Sequence, residues 1–525
     1  MITVSGIKLP LGSGEYEAVT RAKKLLGHPQ GGSWHMRRMS YDLRRGSAMQ
    51  VCSVVAEFDD AEYEQKLAAR CNDARYSEKL RFCPQAGSEA LPHRPVVVGS
   101  GPAGLFAAYL LSQYGYRPIL LERGADVDSR VKAVEQFFAG GELDRSTNIQ
   151  FGEGGAGTFS DGKLVTRIGD ELCDYVLQTF VRFGAPQDIL YKAKPHIGTD
   201  MLRGVVKRMR EAIVENGGEV RFLCCMDDIA VQGGSVCGVQ CADEQLPAEV
   251  VVLACGHSAR DTFVMLADKG LTLTAKPFSV GLRIEHLQSD VDRSLYGKLA
   301  GDPRLPKGEY SLSAQVNGRG VYTFCMCPGG QVVAAASEAG GTVTNGMSHY
   351  ARAGENANSA VCVSVDGKDF GRNPFRALEF QRGLERAAFA AAGGSFAAPA
   401  NDVASFMDGR RTLLIGKVKP TYPRELRGFD MEKVLGSELC ASLRGGLSAF
   451  SHKMSCFGDG EAILTGVETR TSSPLRIARG EDRQAIGLRG LYPCGEGAGY
   501  AGGITSAAVD GLRTASAIIE RYKPY

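Results

Sequence analysis

Along the first 85 residues, hydrophobic and polar positions alternate in a pattern that predicts four strands and two helices. Segments 2–9, 33–43 and 48–58 read as strands, 76–82 reads as a short last strand, and 15–26 and 61–71 carry helical spacing. The order β-α-β-β-α-β predicts a ferredoxin-like α+β domain over residues 1–90, with 84–95 as its linker. The pattern then changes. Val96-Val97-Val98 runs into a glycine-rich turn, a helical stretch follows, and Ile119-Leu120-Leu121 reads as a second buried strand. Helical spacing returns at 171–183 and 202–216, and the run 249–256 reads as another central strand. Residues 275–455 mix strands and helices without the βαβ rhythm. Leu491-Tyr492-Pro493 and a helical stretch at 505–519 then resume it. The expected class is therefore α/β: a Rossmann domain in two pieces, 91–275 and 461–525, with an inserted α+β domain at 276–460 that faces a substrate.

The turn after the first Rossmann strand is Gly99-Ser100-Gly101-Pro102-Ala103-Gly104, a Gly-x-Gly-x-x-Gly between a strand and a helix. The first glycine permits the turn, the second lets backbone approach a pyrophosphate, and the third lets the helix pack on the strand. The helix N-terminus then meets the anion with free N–H groups and its dipole. Glu122 follows Gly101 by 21 residues, close to the ~20 expected of an acid that binds the adenosine ribose. Arg123 stands beside it. These features predict a bound dinucleotide.

Composition narrows the picture. The chain has 525 residues, 44% hydrophobic and 23% charged, with a formal net charge of +2, so no global charge favours nucleic acid or an anionic membrane. A basic cluster of His35, Arg37, Arg38, Arg44 and Arg45 leaves RNA binding by the N-terminal domain open. A solvated charged face accounts for it more simply. No apolar run reaches membrane-spanning length. Fifteen scattered cysteines make no disulfide framework, and no Cys/His spacing suggests a metal, so a reducing cytoplasm is expected.

Two further glycine segments suggest a cofactor larger than NAD. Leu253-Ala254-Cys255-Gly256 ends a strand, and Gly495-Glu496 sits between a strand and a helix, where a carboxylate can accept from ribityl hydroxyls. The set resembles flavoproteins with a glutathione-reductase-like FAD domain, with Cys255 standing where that superfamily usually has Thr. More narrowly, the chain is similar to a bacterial family of FAD-dependent dehydrogenases of unknown substrate. Residues 151–164 carry this likeness, together with Phe324-Cys325-Met326-Cys327-Pro328-Gly329-Gly330, 354–359, 469–474 and 495–504. The resemblance implies FAD held by these segments, including Gly155, Ala156, Gly157, Thr158, Ser160, Asp161, Lys163, Gly503 and Ile504. It also implies hydride transfer to or from an unidentified small molecule. NAD(P)H, a protein or a quinone is the expected electron partner. An RNA-associated flavoprotein and a protein with structural FAD are the alternatives.

Candidate chemical groups lie outside the cofactor segments. His286, after a strand at 278–282, suits proton relay, with His257 as a rival nearer the flavin. Arg470, followed by Thr471, Ser472 and Ser473, suits an anion or the reduced flavin, or else an interdomain salt bridge. Glu355 with Asn356, Asn358 and Ser359 reads as a substrate grip or a capping turn. Cys325 and Cys327 share one side of a strand, either as a redox pair or, more simply, as packing.

Overall fold

The computed structural model describes residues 1–44, 48–79 and 82–525; Arg45 of the basic cluster and residues 80–81 of the predicted fourth strand lie outside them. The N-terminal strands are Ile2–Pro10, Ser33–Asp42, Met49–Glu57 and Ala74–Tyr76. They form one antiparallel sheet in which Ile2–Pro10 lies between Met49–Glu57 and Ala74–Tyr76. Helices Glu15–Leu25 and Ala61–Ala68 connect them. The fourth strand ends at Tyr76 rather than reaching 82. The linker is strapped down: Gly87 and Glu89 donate to the carbonyls of Ile519 and Arg521 at 2.8 and 3.1 Å.

The Rossmann-like sheet has five parallel strands in the order Leu491–Pro493, Val251–Leu253, Val96–Val98, Ile119–Leu121, Glu219–Arg221. Its four inner and leading strands are buried on both faces, which is why they read as unbroken hydrophobic runs. Helices Pro102–Gln113 and Ile504–Arg521 pack together on one side.

A second, mixed sheet of seven strands has Phe278–Leu287 at its centre, between Asn356–Val365 and Ile463–Glu468. Phe278, Val280, Leu282 and Ile284 bury against helix Ser437–Ser451 and its neighbours, so Ser279, Arg283 and Glu285 face the other way. The chain passes between the sheets through a two-stranded link, Leu273–Ala275 with Leu475–Ile477. Strand Ile463–Glu468 therefore belongs to the mixed sheet, and the return to the parallel sheet comes after 475 rather than at 461. Among the described residues, no helix is long and apolar enough to cross a membrane, and no group of three or more His, Cys, Asp or Glu is placed to hold a metal.

Candidate functional site

Three glycine turns meet at the C-terminal ends of the parallel strands. A Cβ on Gly104 would overlap the Gly99 carbonyl oxygen, so only glycine lets helix Pro102–Gln113 sit this close to its strand. A Cβ on Gly155, which has φ +63°, would lie 3.0 Å from the Gly101 Cα, and one on Gly495 would lie 2.7 Å from the Ala103 Cβ. The turns that the sequence places 391 residues apart, at 104 and 495, are thus in contact.

They enclose a cavity of about 360 Å³. Gly99, Gly101, Pro102, Ala103, Glu122 and Arg123 line it, as do Gly155, Ala156, Gly157, Ser160, Asp161 and Lys163. Cys255, Gly256, Glu496, Gly503 and Ile504 complete the predicted set on its wall. Three predicted residues stand behind the wall. Gly104 packs helix on strand, Thr158 donates its hydroxyl to the Glu153 carbonyl at 3.2 Å, and the Gly495 N–H is spent on Asp510 at 2.7 Å. Asp161 is committed to Arg352, at 3.0 Å from Nε, and to Ser348. Lys163 pairs with Glu309 at 3.1 Å. Both shape the wall with their charge already answered.

Glu122 accepts four hydrogen bonds, from Ser100 N–H and Oγ at 2.9 and 2.6 Å and from the Gly124 and Gly152 N–H groups at 2.9 and 3.0 Å. The Ser100 hydroxyl is the one donor among them free to rotate away. Arg123 stacks over the Phe151 ring at 4.4 Å and pairs with Asp261.

Arg130, which no local pattern singles out, holds the second glycine segment. It is fully buried in helix Val127–Phe138 and donates to the carbonyls of Asn148, Ile149, Gly152, Glu153 and Gly155 at 2.7–3.1 Å. Its charge also stacks over Phe159 at 4.8 Å.

The mixed sheet supplies the other end of the cavity. Arg283, on the polar face of its strand, donates to Asn358 at 2.8 Å, Glu468 at 3.1 Å and the Cys325 carbonyl at 2.6 Å. Cys325, Glu468, Arg470 and Thr471 line the cavity. Arg470 shares the buried Glu385 carboxylate with Arg260, at 3.1 and 2.9 Å, and donates to Ser258 at 3.0 Å. It reaches the predicted place, but its charge is answered by Glu385 within the mixed-sheet unit, and it is Arg260 that carries the salt bridge across to the Rossmann domain. Burial, helped by the nearby Arg470 and Arg260, holds His257 down at about 3, so it is a neutral imidazole. Burial pushes Glu496 up to about 7 against the pull of Lys276, and Glu468 up to about 7 against Arg283.

Two predicted catalytic residues are elsewhere. Strand Phe278–Leu287 continues through His286, and the period of two puts that ring on the apolar face, 4.7 Å from Phe457. Burial holds its pKa down at about 4, and neither ring nitrogen has a side-chain partner among the described residues. Glu355 is exposed just before strand Asn356–Val365 and meets the site through no side-chain contact. Its polar neighbours are strand residues: Asn356 donates to Glu285 at 3.0 Å, and Asn358 receives Arg283. In the basic cluster, Arg37 pairs with Asp174 at 2.8 Å and Arg44 with Asp42 at 2.8 Å.

The state of Glu468 has a measurable consequence. Its carboxyl sits near 4.5 in the unfolded chain and about 7 in the fold. Between those values the unfolded chain loses a proton that the folded chain keeps, so stability falls as pH rises through the window and levels off above it. The Glu468→Gln variant removes this slope, worth on the order of 3 kcal/mol. Thermal midpoints of variant and wild type measured across pH 4.5–7 should diverge accordingly, and parallel curves would exclude a protonated Glu468.

Residues 277–471 match the family described as FAD-dependent protein, C-terminal domain-like, and residues 97–152 match an NAD(P)-binding Rossmann-like domain. An uncharacterized protein of Clostridium beijerinckii is 45% identical over 491 residues, 92% of each chain. The chain belongs to the FAD-dependent protein family. Its cofactor is FAD, and the cavity fits it: a glycine cradle at a helix N-terminus, an acid at the end of the second strand, and a buried Glu468 oxygen with no partner at the far end. A thiamine thiazole synthase of Thermotoga maritima is 27% identical over 175 residues, 33% of this chain and 53% of that one. Among solved structures, the L-amino acid deaminase of Proteus vulgaris aligns with a TM-score of 0.34 at 10% identity, covering 84% of this chain and 94% of that one. The glycine oxidase of Geobacillus kaustophilus gives 0.34 at 12% identity, covering 81% and 93%.

Proposed function

We propose that this member of the FAD-dependent family is an oxidoreductase that moves a hydride between flavin N5 and a small organic molecule. In this reading its FAD domain is of the glutathione-reductase-like kind, the mixed sheet faces the substrate, and residues 1–90 form a separate ferredoxin-like unit. One observation carries the reading. The cavity wall changes along its length from glycine turns, suited to phosphates and ribose, to a cluster of buried ionisable groups from the mixed sheet, suited to chemistry.

When bound, FAD supplies the electron-pair chemistry at its ring. The chain does the rest. The N-terminus of helix Pro102–Gln113 receives the pyrophosphate. Glu122 takes the adenosine ribose as the Ser100 hydroxyl turns away. Glu496 accepts from the ribityl chain. Glu468, protonated near neutrality and with Oε2 unpartnered, holds a proton at the reactive end. The paired Arg260 and Arg470 lower the cost of negative charge there while Glu385 fixes their position. The electron partner in this reading is NAD(P)H, a protein or a quinone.

The test is anaerobic. The visible absorption of the FAD-loaded protein is followed as NADH, NADPH and a panel of amino acids, amines and hydroxy acids are added in turn. Bleaching by an organic compound, reversed by its oxidised product, is the expected result. Flavin that dithionite reduces but no organic donor touches would favour a structural role for FAD instead.

A further inference from the structure

We propose that Cys325 and Cys327 are a redox-active dithiol that exchanges an electron pair with the bound flavin. The proposal rests on the cavity holding FAD, but on no particular organic substrate.

The geometry begins with a bulge. In a flat strand, residues two apart share a face but stand about 6.6 Å from each other. Strand Arg319–Cys327 is not flat here: Phe324 pairs with Ala360 and Cys327 with Asn358, so three steps on one strand oppose two on the other. Cys325 takes up the extra length with φ +45°, a left-handed conformation that few residues other than glycine adopt. The bulge turns the Cys327 thiol back to within 3.4 Å of the Cys325 carbonyl oxygen, so both cysteines sit on one sharp kink of the strand.

The two sulfurs differ in position. Cys325 is half-buried and lines the cofactor cavity, whereas Cys327 is fully buried behind it. That is the arrangement of an attacking and a resolving cysteine. Arg283 donates to Cys327 at 3.4 Å and to Glu468 at 3.1 Å, so one buried guanidinium serves the sulfur pair and the acid together. The partnerless Glu468 Oε2, in a residue 2% exposed, is a second polar group directed at the same end of the cavity. The hydrogen bond from Cys327, with Arg283 and Lys163 nearby, pulls the Cys325 thiol down, and the same hydrogen bond together with burial pushes Cys327 up. Of the two, Cys325 is the one that ionises first, while Cys327 keeps its proton.

The exchange balances. One S–S bond forms between Cys325 and Cys327, and the Cys327 S–H bond breaks. The sulfurs lose two electrons, and those electrons with that proton pass to the oxidised flavin, leaving it reduced. Run backwards, reduced flavin returns the pair to a thiolate and a thiol. The cavity then holds two two-electron stores in series, which lets the protein keep one pair while it delivers another.

The test counts electrons in the FAD-loaded protein. In an anaerobic dithionite titration of air-oxidised enzyme, the wild type should take up two electron pairs for each flavin. Cys325→Ser and Cys327→Ser should each take up one. Cys71→Ser, in the connection between helix Ala61–Ala68 and strand Ala74–Tyr76, should still take up two. Wild type that accepts a single pair overturns the proposal, as do serine variants that still accept two. If a variant fails to retain flavin, the wild type alone decides. Thiol-reduced protein left anaerobically with oxidised flavin should lose two alkylatable thiols, both in the peptide carrying Cys325 and Cys327, and full alkylation of that peptide overturns the proposal. Failure to load FAD at all would sink the functional reading along with this one. Flavin that loads and takes one pair sinks this one alone.

Discussion

Replacing Arg130 with Met is expected to leave a protein that binds FAD about 1,000-fold more weakly than the wild type. The reason is the number and kind of groups that Arg130 satisfies. Its guanidinium donates to five backbone carbonyls between Asn148 and Gly155, four of them buried with it and that of Gly155 partly so. A thioether offers none of these donors. Each stranded carbonyl costs roughly 1–3 kcal/mol unless the loop moves to find water. The loop that moves is the one whose Gly155 packs so closely on Gly101 at the cavity wall that a Cβ there would lie 3.0 Å from the Gly101 Cα. Even if most of the loss is recovered by rearrangement, about 4 kcal/mol falls on the FAD complex. Arg130→Lys should resemble the Met variant, because an ammonium has one donor centre where the guanidinium fork has three. Flavin titrations of both variants check this. A dissociation constant within about tenfold of wild type for Arg130→Met would show that the loop does not depend on it.

The Glu385→Gln variant should lose about 3–5 kcal/mol of stability. One carboxylate, itself 1% exposed, accepts from both Arg260 and Arg470, whose side chains are 2% and 3% exposed, and from the Thr469 hydroxyl at 2.9 Å. The two arginines hold its carboxyl well below the usual range, so it is charged near neutral pH. An amide there leaves Arg260 with only the more exposed Glu338, at 3.0 Å and already paired with Arg382, and leaves Arg470 with no carboxylate in contact among the described residues. The double variant Glu385→Gln/Arg470→Met removes one of the stranded charges, so its loss should be smaller than the sum of the two single losses. Denaturant unfolding of the three variants measures the difference. Strict additivity would mean that Arg470 and Glu385 do not act as a unit.

The sequence was most readable where structure depends on neighbours in the chain. Valines 96–98 are buried on both faces of a parallel sheet and so form an unbroken run. The spacing of Gly99, Gly101 and Gly104 reflects one tight turn and one close helix–strand contact. The period of two was also present at 278–287 and would have placed His286 with Ile284 on the apolar face and Arg283 opposite, had the strand been carried four or five residues further. What stayed hidden depends on distant partners. Arg283 meets Glu468 across 185 positions, and Arg260 meets Glu385 across 125. Nothing local separates such a buried arginine from one on the surface. Arg130 is a further case, since in its own helix it reads as an ordinary polar position. The Cys325 bulge was hidden too, because it depends on register with Asn356–Val365 rather than on the Cys-Met-Cys triplet itself.

Hydrogen exchange of the protein with and without FAD puts the central claim to the most direct test. One cofactor held by three converging turns should slow exchange together in peptides covering 96–104, 150–163 and 494–504, with further slowing at 324–327 and 468–471. Protection limited to the first of these, with 494–504 unchanged, would mean that the nucleotide is held by the Rossmann fingerprint alone and that the shared cavity is not its site.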